Sequence, residues 1–124
     1  MPYEIIVDEA RRIVVVVIVG AVDVADVAPL AKSARGAARE HGFNILYDGR
    51  RAVAGDMNTA DLFWFPRNIP ELSASSAGRV RTALLHLPEQ RAMSEFWENA
   101  FNNAGLQARA FEDEGEAAAW LQEA

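Results

Sequence analysis

The chain has 124 residues, enough for one domain that buries roughly two-thirds of its unfolded surface. It carries 12 Lys and Arg against 18 Asp and Glu, a net charge of -6, so it lacks the basic surplus that a nucleic-acid partner requires. Cysteine is absent, which excludes disulfides, thiolate chemistry and zinc sites of the Cys type.

Tyr3-Glu4-Ile5-Ile6-Val7 predicts a first strand and Asp8-Glu9-Ala10-Arg11 a hairpin connection. Residues 12–22 follow as a second strand, and its unbroken apolar run predicts burial on both faces, as in a central strand covered by helices. Arg11-Arg12 ahead of that run superficially looks like the start of a signal peptide. Against it, the run is rich in Val and Ile, Glu4, Asp8 and Glu9 precede it, and about ten residues are too few to span a bilayer as a helix. The expectation is a cytoplasmic protein without a membrane span.

Asp23 or Asp26 caps the next helix, with Pro29 near its first turn and Val27, Leu30, Ala31, Ala34 and Ala38 on one face. Gly42 stops this helix, and Gly36 inside it suggests close packing on the sheet. Residues 43–47 form a third strand that ends at Asp48-Gly49. A loop leads to Asp56-Met57-Asn58-Thr59, where Asn58 caps a helix that stops or kinks by Pro66. Residues 68–78 read as loop or short helix, and residues 79–87 as a fourth strand.

Pro88 opens a long helix with Ala92, Met93, Phe96, Trp97, Ala100, Phe101 and Ala104 at helical spacing, ended by Gly105. Residues 106–111 alternate as a fifth strand, with Leu106, Ala108 and Ala110 on one face and Gln107, Arg109 and Phe111 on the other. Asp113-Glu114-Gly115-Glu116 has capping-box spacing for a last helix that buries Ala117, Trp120 and Leu121. The order ββαβαβαβα over residues 1–124 implies one domain with a largely parallel sheet, right-handed crossovers and an antiparallel edge.

The strand at residues 43–47, Asp48, and the loop Asp56-Met57-Asn58-Thr59 together resemble the STAS family of anti-sigma factor antagonist domains. In that family such a strand feeds an Asp-Ser-x-Gly loop carrying a regulatory phosphoserine. Met57 stands where the serine would be and Thr59 where the glycine would be, so the resemblance implies a domain without the usual switch. Thr82-Ala83-Leu84-Leu85, Phe111-Glu112-Asp113 and Ala119-Trp120-Leu121 resemble a bacterial branch of the fold, the SpoIIAA-like proteins. The fold so implied is α/β, a five-stranded, mostly parallel mixed sheet with about four helices. The implied role is a non-enzymatic regulatory module that binds a protein partner or itself as a homodimer. The branch is similar in topology to lipid-carrying CRAL-TRIO domains, which implies a small apolar-ligand (lipid-like) carrier as the alternative.

Catalysis needs a nucleophile, a base and an orienting group, or a metal cluster. His41 beside a helix-ending glycine simply complements the helix dipole. His86 ends the fourth strand, where its expected role is a bond to backbone. Asp48, Asp56 and His86 all follow or end parallel strands, but no ligand-spacing motif assigns them a metal, and no cofactor is expected. Gly49 and Gly55 flank Arg50-Arg51 and match neither the P-loop nor the dinucleotide pattern.

Phe63, Trp64 and Phe65 are three consecutive large apolar residues and cannot all face one core unless the Pro66 kink tucks them inward. The expected partner- or ligand-binding surface is therefore Asp48, Asp56, Met57, Asn58, Thr59, Leu62, Phe63, Trp64 and Phe65. A carrier would line its pocket with Leu62, Phe63, Phe65 and Met93.

Overall fold

A computed structural model describes residues 3–22, 24–54, 80–103 and 105–123. The elements are β1 (Tyr3–Asp8), β2 (Ile13–Val22), α1 (Val24–His41), β3 (Asn44–Ala54), β4 (Arg81–Leu85), α2 (Arg91–Asn103), β5 (Gln107–Phe111) and α3 (Glu114–Gln122). A 3-10 turn, Pro88–Gln90, leads into α2. The helix expected after Asn58 lies outside the described residues, among which there are three α-helices.

The strands form one sheet in the order β1-β2-β3-β4-β5, the order of the chain itself. β1 pairs antiparallel with β2, and every later pair is parallel. A sheet whose order never reverses, linked by right-handed crossovers, carries its connecting helices on one face. α1 accordingly lies over β1, β2 and β3, and α2 over β4 and β5. Their core holds Val14, Val16, Leu30, Ala34, Ile45, Tyr47, Leu84 and Phe101. α3 follows the last strand and folds onto the opposite face, closing a smaller core of Ile13, Leu46, Ala83, Leu85, Phe111, Ala117 and Leu121. Each large side chain buried this way contributes roughly 1.5–3 kcal/mol.

The punctuation follows the sequence. Gly42 takes the left-handed conformation at φ 70°, and its N–H donates to Ala38 O at 2.8 Å, turning the chain from α1 into β3. Asp113 is extended and accepts from Glu116 N at 2.8 Å, capping α3. Asn44 ties three elements, with Nδ2 donating to Leu121 O and Oδ1 accepting from Arg81 N.

Four expectations are corrected. Gly36 is exposed, and a Cβ built on it meets nothing within 4 Å, so it packs on nothing. β2 is buried on both faces only at its start; Val19 is 46% exposed, because α3 does not reach that part of the sheet. Asp48-Gly49 does not end β3, which continues to Ala54. Ala92 and Met93 are exposed, so the buried face of α2 begins beyond its first turn.

Candidate functional site

β3 passes Asp48 through a bulge: Val17 faces Asp48 but Val19 faces Arg51, so β3 carries one extra residue there. Asp48 and Arg50, two apart, then share the α3 face. Asp48 Oδ1 accepts from Arg50 N at 3.2 Å and from Nε at 3.0 Å, and Oδ2 accepts from Nη2 at 2.9 Å. Arg50 Nη2 also reaches Glu114 Oε1 at 3.1 Å. Glu114 Oε2 accepts from Arg11 Nη1 at 3.1 Å, and Arg11 Nε donates to Asp8 Oδ2 at 2.7 Å. Alternating charges thus join the β1–β2 hairpin, β3 and the start of α3. The Arg50 hydrogen bonds hold the Asp48 carboxyl below the usual carboxylate range, outweighing the opposing effect of burial. A carboxylate so engaged is a structural group.

Gln90 supports the part of β3 that β4 does not reach. Its Nε2 donates to Gly49 O at 3.1 Å and to Ala52 O at 3.2 Å, while its Oε1 accepts from Leu87 N at 2.8 Å.

His86 is buried, its N–H donating to Phe111 O at 2.9 Å and Nδ1–H donating to Leu87 O at 2.7 Å, as expected of a strand-end histidine bonded to backbone. It lines a polar cleft of about 520 Å³ with Arg91, Glu95, Glu98, Arg109 and Glu112, on the α2 side. Asp48 faces α3, so the two side chains lie on opposite faces and do not converge. Within it Arg91 pairs with Glu112 at 3.1 Å, and Glu98 accepts from Ala110 N. Among the described residues no group of three or more His, Asp or Glu is placed to hold a metal ion. The unreversed strand order also provides no switch-point crevice, the usual ligand site of open α/β sheets.

The α3 face shows a different kind of surface. α3 has nine residues and packs on β3, β4 and β5. A helix about 10 Å wide covers roughly two strands spaced about 4.8 Å apart. Among the described residues no helix packs on β1, the outer part of β2 or the outer half of β3 on that side. Cross-strand register sets Ile6 beside Val15, Glu4 beside Val17, Val19 beside Arg51, and Ala21 beside Val53. Ile6 is 43%, Val19 46% and Val53 60% exposed. Glu4 and Arg51 flank this strip from either side of β2, and neither makes an ion pair among the described residues. A contiguous apolar strip with a charged rim is the physical signature of an interaction surface.

Of the residues expected to form the site, Asp48 is engaged with Arg50. Asp56, Met57, Asn58, Thr59, Leu62, Phe63, Trp64 and Phe65 lie outside the described residues. Met93 is 40% exposed on α2. The bare strip was missed because an apolar run such as that of β2 reads as buried throughout, and sequence alone does not show where a covering helix ends.

One antiparallel edge strand, four parallel strands in chain order and a last helix on the far face make this an α/β domain of the SpoIIAA-like type, and the chain has that fold. It is similar to the crystal structure of an uncharacterised DUF3478-family protein from Shewanella loihica PV-4 with a SpoIIAA-like fold. The likeness covers 96% of this chain and 91% of that one, at 18% identity and a TM-score of 0.56. No family model matches the chain, and no curated protein sequence matches it.

Proposed function

We propose that the chain is a non-enzymatic interaction module that pairs with a second copy of itself through the bare sheet face. The exposed apolar strip of Ile6, Val19 and Val53 carries this reading. A two-fold axis along β2 sets β1 of one copy over β3 of the other, so the apolar strip meets its own copy. A face that is apolar along its own two-fold axis is what an isologous dimer requires. The saturated Asp48 and the backbone-bound His86 support a role without catalysis.

Native mass spectrometry and sedimentation test the proposal. The expected species is twice the 13.6 kDa chain mass. Val19→Lys and Val53→Lys sit on exposed positions, where substitutions change stability by about 0.5 kcal/mol or less, and each should give a folded monomer. A wild type that stays monomeric at high micromolar concentration overturns the proposal. The carrier alternative has a separate signature in the same spectrum, a discrete added mass that is lost on denaturation.

A further inference from the structure

On the opposite face of the sheet, α1 turns Leu30, Ala31, Ala34 and Ala38 onto the strands. Arg35 lies inside that stripe, four residues from Ala31 and three from Ala38, and is only 3% exposed. Its Nη2 donates to Thr82 Oγ1 at 3.2 Å, and Thr82 is itself buried. Nε and Nη1 are buried with no hydrogen-bond partner. Among the described residues Arg35 makes no ion pair.

Such a group is expensive to bury. A guanidinium keeps its proton across the physiological range, so it does not escape burial by neutralising. Burial pulls its pKa down, and the nearby Tyr47 gives no balancing anion, because burial pushes the Tyr47 hydroxyl up and keeps it protonated. Among the described residues a neutral threonine hydroxyl is the one group that receives this cation. Buried charges in folded proteins are ordinarily matched by an opposite charge.

We propose that Arg35 is the receptor for the carboxylate of a small ligand. The unpartnered Nε–H and Nη1–H donors are those a carboxylate accepts from. Thr82, while accepting from Arg35, keeps its hydroxyl proton to donate to the same group. One fixed positive charge takes one negative charge, so a monoanion balances it where a phosphate dianion would leave a buried surplus. This site lies on the other face of the sheet from the self-association strip, and its test is independent of that reading.

The test compares octanoate, octan-1-ol and inorganic phosphate by calorimetry and thermal unfolding. Octanoate should raise the wild-type melting temperature by several degrees at saturation and bind at least tenfold more tightly than octan-1-ol. Arg35→Met, neutral and similar in volume, should erase that preference. The Arg35 Nε–H signal of the wild type should shift in NMR spectra on adding octanoate, a readout that needs no variant. No octanoate response in the wild type overturns the proposal, as does an unmoved Nε–H signal. A preference that survives in Arg35→Met places the anion elsewhere and also overturns it. A response to phosphate with none to octanoate rejects the carboxylate.

Discussion

Asp48 and Arg50 show how a pair of charged residues is held inside a strand. A carboxyl whose pKa is lowered on folding binds fewer protons in the native state than in the unfolded chain. The stability it contributes is therefore complete above its ordinary value of 3.8 and lost as pH falls through the depressed folded value. Asp8, hydrogen-bonded to Arg11 N and Nε, is lowered likewise and acts in the same acid window. Asp48→Asn should be about 1–3 kcal/mol less stable at pH 7 and should show a flatter loss of stability below pH 4, measured by urea unfolding. Gly36 makes the opposite case: open space around its missing Cβ means Gly36→Ala should add about 0.5–1 kcal/mol, read as a higher melting temperature. Residue-level reading succeeded where local chemistry decides, at Gly42 and Asp113. It failed at Asp48-Gly49, since these residues mark turns unless a partner such as Arg50 holds the carboxylate in the sheet. Arg35 was overlooked because only the apolar members of the α1 stripe were counted, although its spacing puts it among them.

At the level of elements, α2 and β5 depend on one another. β5 is an edge strand, and α2 satisfies its outer side with side chains four residues apart. Asn102 Oδ1 accepts from Ala108 N and its Nδ2 donates to Ala108 O, both at 2.9 Å, while Glu98 accepts from Ala110 N. The helix thus stands in for a sixth strand and blocks strand addition on that side. Asn102→Ala removes both bonds to Ala108, so stability should fall by about 1–3 kcal/mol in urea titration with an unchanged denaturant slope. Periodicity revealed both elements: the alternation of β5 assigned its faces, and helical spacing found α2. It did not reveal that the first turn of α2 is exposed, because helical spacing alone does not show where along a helix its contact with the sheet begins.

For the whole molecule, alternating helix and strand signals were enough to read an α/β domain with a mostly parallel sheet and an antiparallel edge. Strand order within the sheet and the span of α3 on the far face were not readable, since both depend on contacts between distant segments. The bare half of the sheet follows from those two properties together. Because neighbours in the sheet are also neighbours in the chain, assembly proceeds without any strand having to insert between two others. The β1–β2 hairpin needs only a short loop to close, and each later strand adds to the open side of a ribbon already formed, at the entropic cost of one crossover. A chain emerging from the ribosome can therefore grow this sheet from its amino-terminal side, with α2 made before the strand whose edge it covers.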